Sequence, residues 1–338
     1  MREPVPPRPT FSHTPVLLRE VLDVLTPQDG AIYVDATFGA GGYSRAILEA
    51  AECTVWGIDR DPEAQNRAAD LIARFPGRLT VLQGCYGDMA ELLENAGVGQ
   101  VDGIAFDLGV SSMQLDDPDR GFSFRADGPL DMRMSKDGMT AADVVNELPE
   151  KELADVIYKY GEERASRRIA KTIIDVRADK PITGTAELAR LIRGVVKKSK
   201  DGIDPATRTF QALRIYVNDE LGGLERGLRA AEALLVPGGR MAVVSFHSLE
   251  DRIVKDFMRV RSGAAARPSR HLPVSAEDQQ AASIRPVHRG AVKASSDEVS
   301  TNPRARSARL RAGERTDAPV WPTPPRGPAN DDANRRAA

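Results

Sequence analysis

The sequence predicts an α/β protein, a doubly wound parallel sheet interrupted by an all-helical insert. Over the first 120 residues, short apolar strands alternate with amphipathic helices, the pattern of parallel βαβ units. The strands are predicted at 31–35, 53–59, 79–83 and 101–107. Between 140 and 198 only helical patterns occur, separated by Pro149, Gly161 and Pro181. A fifth strand then follows at 240–246.

The helices of the first half are predicted from their caps and periodicity. The first covers residues 16–25, and the second covers 43–50, directly after the glycine turn. The third extends to Phe75, with Asp61 as its N-cap and Pro62 as its first helical residue. A long helix is predicted from Pro205 to Leu235 because apolar residues recur at spacings of three and four. Apolar and polar residues alternate over 302–311, which predicts a strand that closes the edge of the sheet.

Composition excludes several classes of protein. The 338 residues have a net charge of −2, no apolar run long enough to cross a membrane, and a Pro-rich start unlike a signal sequence. Cys53 and Cys85 form neither a disulfide framework nor a zinc spacing, so we expect a cytoplasmic protein without a metal site. The charge is distributed unevenly along the chain. Residues 259–338 carry 15 basic and 8 acidic residues, a net charge of +7, so the rest of the chain has a net charge of −9.

The first candidate site is the run Asp35-Ala-Thr-Phe-Gly39-Ala-Gly41-Gly42 between a strand and a helix. Glycines let a backbone approach a ligand closely, and the helix N-terminus offers free amides to an anionic group. Asp59 ends the next strand, where a carboxylate can bind ribose hydroxyls. Ser44 stands where the dinucleotide motif needs its third glycine, which favours S-adenosyl-L-methionine (SAM) over NAD. A purely structural turn stays an alternative.

The second candidate site is Asp107-Leu-Gly-Val-Ser111-Ser112, at the end of the fourth strand. An acid after an apolar run needs a partner or a role. Asp107 is predicted either to hold and deprotonate an attacking amine or to bind the amino end of SAM. A cap of the following turn is the structural alternative.

A third run, Ser245-Phe-His247-Ser248-Leu-Glu250, also follows a strand. It lacks the further members of a nucleophile triad or of a metal site, and capping by Ser248 is at least as good an interpretation. Three groups of basic residues are better explained by phosphate contacts than by chance. They are Arg164, Arg167, Arg168 and Lys171; Arg193, Lys197, Lys198 and Lys200; and Arg304, Arg306, Arg309, Arg311 and Arg315.

With these residues in place, the chain resembles the RsmH (MraW) family of bacterial 16S rRNA cytosine-N4 methyltransferases. The resemblance covers about residues 12–315 and is carried by long, ordered motifs. They are HTPVLLREV from His13, DATFGAGGYS from Asp35, GIDRDP from Gly57, DLGVSSMQLDDPDRGFSF from Asp107, GPLDMRM from Gly128, YGEERASRRIA from Tyr160, ATRTFQALRIYVNDEL from Ala206, PGGRMAVVSFHSLEDRIVK from Pro237 and NPRARSARLR from Asn302.

The resemblance implies a class I SAM-dependent (Rossmann-like) methyltransferase fold. It implies a methyltransferase domain at 12–125 and 206–315, a helical insert on the substrate side at 126–205, and disordered ends at 1–11 and 316–338. The implied reaction is N4 methylation of a cytidine of 16S rRNA, position 1402 of the decoding region in this family, with the small ribosomal subunit as partner. A DNA amino-methyltransferase and a non-catalytic RNA-binding assembly factor stay open as alternatives.

By motif position, the resemblance carries SAM contacts onto seven residues: Gly41, Gly42, Tyr43, Asp59, Tyr86, Asp107 and Gln114. Asp107 and Ser111 are the predicted catalytic residues, with Ser111 directed at the base edge. The sequence departs from the family at two of these positions. Tyr43 stands where His is common, so a side-chain contact there would change, and Tyr86 stands where Phe is common, which keeps an aromatic ring for adenine.

Overall fold

The computed structural model describes residues 15–135, 137–198, 202–264 and 280–322. Its eight strands form one sheet. They are β1 (Ile32–Asp35), β2 (Thr54–Asp59), β3 (Leu79–Gln83), β4 (Val101–Asp107), β5 (Leu235–Ser245), β6 (Ile284–Pro286), β7 (Val292–Lys293) and β8 (Arg309–Arg315). The predicted bounds of β3 and β4 agree with the observed ones. The central strand β4 is a mostly apolar run that is buried on both faces, whereas β3 lies at the edge of the sheet and alternates buried and exposed residues.

The strand order is β3-β2-β1-β4-β5-β8-β6, with β7 paired to β8. Strands β1 to β5 are parallel, and β8 runs antiparallel to β5. The order reverses between β1 and β4, which is the switch point where open α/β sheets bind ligands. This strand order confirms the predicted doubly wound, Rossmann-like sheet.

Thirteen helices lie in the described part of the chain. They are α1 (Leu18–Leu25), α2 (Gly42–Ala50), α3 (Ala64–Arg74), α4 (Met89–Asn95), α5 (Ser112–Asp116), α6 (Ala141–Glu147), α7 (Glu150–Gly161), α8 (Ser166–Arg177), α9 (Thr185–Val195), α10 (Thr207–Asn218), α11 (Glu220–Leu234), α12 (Ser248–Arg261) and α13 (Ser296–Thr301). None of the helices described is long and apolar enough to span a membrane.

Apolar side chains form three buried clusters. Two of them cover the two faces of the sheet. The third belongs to α6 to α10 and to the loop before them, with Leu153, Ile169 and Leu188 at its centre. Phe210 and Leu213 of α10 are part of this third cluster. The structure therefore groups α10 with the helical insert, whereas a sequence boundary at 206 assigns it to the methyltransferase domain.

The prediction of one long helix over 205–235 is wrong, because the chain breaks at Asp219. Asp219 has a left-handed backbone with φ of 45°. Asn218 holds the break in place: its amide group donates to Met132 O (2.8 Å), and its carbonyl accepts from Met134 N (2.8 Å). The apolar spacing continues across the break and does not reveal it. The break turns the chain from the helical cluster toward the sheet.

The C-terminal segment differs from its prediction in two ways. Residues 303–307 form a 3-10 helix, and the strand that follows, β8, lies between β5 and β6 rather than at the edge. Residues 316–322, expected in the disordered tail, pack instead: the Trp321 indole donates to Ala281 O (2.9 Å) and lies 4.7 Å from the Arg261 guanidinium. The disorder predicted for 1–11 and 323–338 falls outside the described residues.

Candidate active site

Three acids stand at the carboxyl ends of neighbouring strands, on both sides of the switch point. They are Asp35 on β1, Asp59 on β2 and Asp107 on β4. Because the strands are parallel, their ends meet at one edge of the sheet, as the sequence predicts. This edge holds the candidate site.

Asp35 is fully buried and anchors the glycine turn. One of its carboxylate oxygens accepts from the Ser44 amide (3.1 Å) and hydroxyl (2.7 Å), and the other accepts from Thr37 N (3.3 Å). Burial raises the pKa of Asp35 to about 6, although these hydrogen bonds oppose the shift. The first turn of α2 is thereby fixed against the end of β1.

Two glycines of the turn are required by the packing of the chain itself. Gly41 has φ of +74°, and a Cβ there would lie 2.8 Å from the Phe38 ring. A Cβ on Gly42 would lie 2.2 Å from Cγ of Pro15. The sequence pattern predicts that these glycines leave room for a ligand. In the structure, Phe38 and Pro15 already exclude a side chain at the two positions. Asp35 binds the Ser44 amide, which leaves the amides of Gly42 and Tyr43 at the start of α2 for an anionic group.

Asp59 connects two loops. Its oxygens accept from Gly39 N (2.8 Å) and Asp61 N (2.8 Å), and the Arg67 guanidinium lies 3.8 Å away. Burial raises the pKa of Asp59, while these partners oppose the shift. Since each carboxylate oxygen has more than one acceptor direction, the ribose contact predicted for Asp59 is still geometrically possible.

Asp61 stands two residues before the N-cap of α3, because α3 begins at Ala64 rather than at Pro62 as predicted. One of its carboxylate oxygens still accepts from Glu63 N (3.0 Å), and the other lies 3.4 Å from Arg67 and 3.1 Å from Arg120. Arg120 belongs to the loop after β4, so this ion pair joins the loops of two strands. Such a long-range pair has no local sequence signal.

Asp107 has the most unusual environment of the three acids. Its amide donates to Thr37 Oγ1 (2.6 Å), but its buried Oδ1 has no hydrogen-bond partner among the described residues. Burial, then the charges of Asp35 and Glu250, raise the pKa of Asp107 to about 8. A buried acceptor without a donor is costly unless a bound molecule supplies one. This geometry favours a ligand at Asp107 over the capping role considered from the sequence.

Ser111 and Gln114 are paired with each other in a capping box at the start of α5. The Ser111 hydroxyl accepts from Gln114 N (3.2 Å), and the Gln114 carbonyl accepts from Ser111 N (3.0 Å). The Ser111 hydroxyl hydrogen and the Gln114 amide hydrogens remain as possible donors to a ligand. The sequence assigned the two residues separate roles and missed this contact.

The two tyrosines have different surroundings. Tyr43 is buried in the core, where its hydroxyl donates to Val16 O, so only its backbone faces the site. Tyr86 packs edge-to-face on Phe106, with ring centroids 5.9 Å apart, and its hydroxyl donates to Glu220 O (3.3 Å). The replacement of the family's His by Tyr43 therefore alters the packing of the core. A SAM contact at this position can only be made by the backbone.

A buried polar network lies behind Tyr86, and sequence reasoning missed most of it. Arg214 and Glu220 form a bidentate ion pair at 2.8 and 2.9 Å. Glu250 accepts from Phe246 N (2.8 Å) and from His247 N (3.3 Å). Burial opposes the shift, but His247 and Arg214 lower the pKa of Glu250. The pairing of α10 with α11 and β5 creates this network, and no sequence spacing encodes it.

His247, rather than Ser248, caps α12. Its Nδ1 accepts from Glu250 N at 3.4 Å. Its Nε2 lies 3.2 Å from a Glu250 oxygen, yet the angles do not allow a hydrogen bond. The ligand atoms of Glu220, His247 and Glu250 all lie within 4.8 Å of one another. Because Arg214 already neutralises Glu220, this group is a poor cation site, and the prediction of no metal stays a prediction.

Known proteins resemble this chain over most of its length. The family model of the MraW methylase family matches residues 10–316. Ribosomal RNA small subunit methyltransferase H of Paramagnetospirillum magneticum is 60% identical over 92% of this chain and 98% of its own length. The protein of the same name from Rhodospirillum centenum is 64% identical over 91% and 93%. A solved rRNA methylase from Streptococcus thermophilus is 10% identical, with a TM-score of 0.39 over 89% of this chain and 94% of that one.

Proposed function

The chain belongs to the MraW methylase family, and we propose on this basis that it transfers a methyl group from SAM to the N4 amine of a cytidine in 16S rRNA. Relatives that are 60% and 64% identical carry the name ribosomal RNA small subunit methyltransferase H, which supports the small-subunit rRNA as substrate. The observation that carries the reaction type is the unpartnered, buried Oδ1 of Asp107.

The residues at the sheet edge fit SAM. The backbone of Gly41, Gly42 and Tyr43 would bind the carboxylate of SAM at the start of α2, and Asp59 would bind the ribose hydroxyls. Tyr86 would offer its aromatic ring to adenine, and Gln114 would donate from the first turn of α5. When bound, SAM would supply an electrophilic methyl group.

Asp107 is proposed as the acceptor of the proton that N4 must lose. The exocyclic amine of cytosine is a poor nucleophile because its lone pair is conjugated with the ring. A hydrogen bond from N4–H to Asp107 Oδ1 would orient the amine and draw its lone pair out of conjugation. The N4 proton goes to the carboxylate form of Asp107, and the raised pKa, about 8, makes that form a stronger base than an exposed aspartate. The positive charge of bound SAM would favour this ionised form, and Oδ1 would hold the proton after transfer.

Ser111 is proposed to orient the base. Its hydroxyl oxygen is engaged in the cap of α5, but the hydroxyl hydrogen is free to donate to the O2 or N3 acceptor of cytosine. The base has to leave its stack to reach a pocket at the end of β4. A flexible, unpaired cytidine is therefore a better substrate than a paired one.

The test compares wild-type protein with Asp107→Asn on two nucleic acids, using methyl-labelled SAM. Asp102→Asn is the matched control, because Asp102 lies on the same strand at its opposite end and its oxygen accepts from Ile32 N, a role that Asn keeps. We expect labelled N4-methylcytidine in small-subunit rRNA from wild type and Asp102→Asn, and a rate about 10²- to 10⁴-fold lower for Asp107→Asn.

Three results would contradict the proposal. Label found only in DNA would make the protein a DNA amino-methyltransferase. No label from wild type, together with normal growth of cells carrying Asp107→Asn, would support a non-catalytic assembly factor. A full rate with Asp107→Asn would remove Asp107 from the chemistry.

A further inference from the structure

Two cavities lie on either side of the N-terminus of α12. The first, here called the tyrosine cavity, has a volume of about 360 Å³ and is lined by Tyr158, Lys159, Glu162, Arg164, Leu249 and Arg252. The second, here called the arginine cavity, measures about 220 Å³, and its lining includes His247, Ser248, Lys293, Arg306 and Arg309. The first lies between the helical insert and α12, the second between α12 and the C-terminal strands.

The arginine cavity concentrates positive charge. Strand register places Lys293 opposite Arg309, and Arg309 opposite Ser245 at the end of β5. Arg309 lies 3.8 Å from Asp251, but that carboxylate is already held by Arg311 at 2.7 and 3.1 Å.

Lys293 and Arg306 have no carboxylate partner in the described ranges, whereas Arg304 pairs with Asp116. Unpaired cations gathered in one hollow are suited to bind a polyanion, with release of its counterions.

The tyrosine cavity adds an aromatic surface. The Tyr158 side chain is 63% exposed, unusual for so large a ring, on the face of α7 that meets α12. Glu162 pairs with Arg252 (3.0 Å) and accepts from the Ser248 hydroxyl. Lys159 and Arg164 line the same cavity as Tyr158 and have no carboxylate partner in the described ranges, although the Lys159 ammonium lies 4.9 Å from the centre of the Tyr160 ring. An exposed aromatic ring with neighbouring cations is the usual platform for an unstacked base.

Both cavities share the first turn of α12 and open next to the catalytic edge. Ser248 lines the arginine cavity, and Leu249 lines the tyrosine cavity. The residues just before them end β5, whose Val244 is paired with Asp107 of β4. A strand that places a base at Asp107 would thus have its neighbouring nucleotides near one or both cavities.

We propose that single-stranded RNA beside the target cytidine crosses the N-terminus of α12, with its phosphates in the arginine cavity and one base stacked on Tyr158. This inference rests on the proposed function and adds the path of the substrate. An acidic protein would also meet the cations, but the exposed ring between cations favours a ligand that has bases as well as charge.

The test measures anisotropy of a short fluorescein-labelled single-stranded RNA over a series of salt concentrations. Arg306→Ala and Lys293→Ala should each lower the slope of log affinity against log salt by about 0.7. Tyr158→Ala should weaken binding by about 5- to 150-fold, and Tyr158→Phe should keep most of the affinity. Lys255→Ala is the control, since Lys255 is exposed on the same helix but lines neither cavity.

The same variants are then assayed for methylation of small ribosomal subunits. We expect KM for the subunit to rise while KM for SAM and the melting temperature stay at wild-type values. If wild type methylates the subunit and the variants behave like Lys255→Ala in both assays, the path is wrong and the proposed function stands. If wild type neither binds RNA nor methylates it, both fall. A lower salt slope for the Arg306 and Lys293 variants without any effect of Tyr158→Ala would overturn the stacking of a base on Tyr158, and with it the proposed path.

Discussion

Replacing Asp107 by Asn is expected to stabilise the folded protein at alkaline pH while it removes methyl transfer. The carboxyl pKa of Asp107 is raised from 3.8 to about 8 in the folded protein, first by burial and then by Asp35 and Glu250. One pKa unit corresponds to about 1.36 kcal/mol. Ionising Asp107 in the folded chain therefore costs on the order of 5 kcal/mol, which an amide of the same shape avoids.

The sign of the pH dependence follows from proton binding. Between about pH 4 and pH 8, the unfolded chain loses the Asp107 proton while the folded chain keeps it. The contribution of Asp107 to the free energy of unfolding of the wild type is therefore largest at low pH, and it decreases as the pH rises to about 8. The Asn variant lacks this loss, so its advantage grows across that window and is constant above it.

Thermal unfolding of the protein without ligand measures the effect. For 338 residues, the unfolding entropy makes 1 kcal/mol worth about 1.4 °C, so the advantage of Asp107→Asn at alkaline pH is at most about 7 °C. Asp102→Asn, the control on the same strand, keeps Asp107 and should therefore keep the fall in stability that Asp107 causes between about pH 4 and pH 8. A difference between Asp107→Asn and wild type that is constant with pH, or that is largest near pH 4, would refute the argument that Asp107 is held neutral by its burial.

Three further substitutions test the surroundings of the site. Gly42→Ala places a Cβ 2.2 Å from Pro15, so we expect a loss of about 1–3 kcal/mol of stability and weaker SAM binding; an unchanged melting temperature and SAM affinity by calorimetry would contradict the packing argument. Tyr43→Phe leaves Val16 O without its donor, which should lower the free energy of unfolding by about 1–3 kcal/mol in urea titration and leave the SAM affinity unchanged; a large loss of SAM affinity would show that the hydroxyl faces the cofactor. Ser111→Ala removes a cap worth about 0.5–2 kcal/mol, and Ser111→Asn should restore that stability; if Ser111→Asn also restores the full methylation rate, Ser111 acts only as a cap and not on the base.

The sequence predicts the features of this protein that are encoded locally. A mostly apolar run gives β4 its bounds and places Asp107 at a strand end, because a parallel strand buried on both faces has little polar surface. The bounds of the edge strand β3 follow instead from its alternation of apolar and polar residues. The same locality explains the errors. Asp61 has a good N-cap spacing, and one of its oxygens accepts from Glu63 N, but α3 begins only at Ala64. The other oxygen is held by Arg120, which is 59 residues away and has no local sequence signal.

Properties that depend on distant contacts are not predictable in this way. The break at Asp219 leaves the helical spacing intact and is fixed by Asn218, which binds the backbone of Met132 and Met134. The unpartnered oxygen of Asp107 is an absence that only the folded structure shows. Likewise, the cations in the arginine cavity come from β7, β8 and the turn before β8, which meet only in the assembled sheet.

The most direct test of the central claim is mass spectrometry of 16S rRNA from cells that lack this protein. The account predicts that one N4-methylated cytidine loses its methyl group, that the wild-type gene restores it, and that the Asp107→Asn gene does not. Unchanged N4-methylcytidine in the deletion strain, or full restoration by Asp107→Asn, would contradict the account.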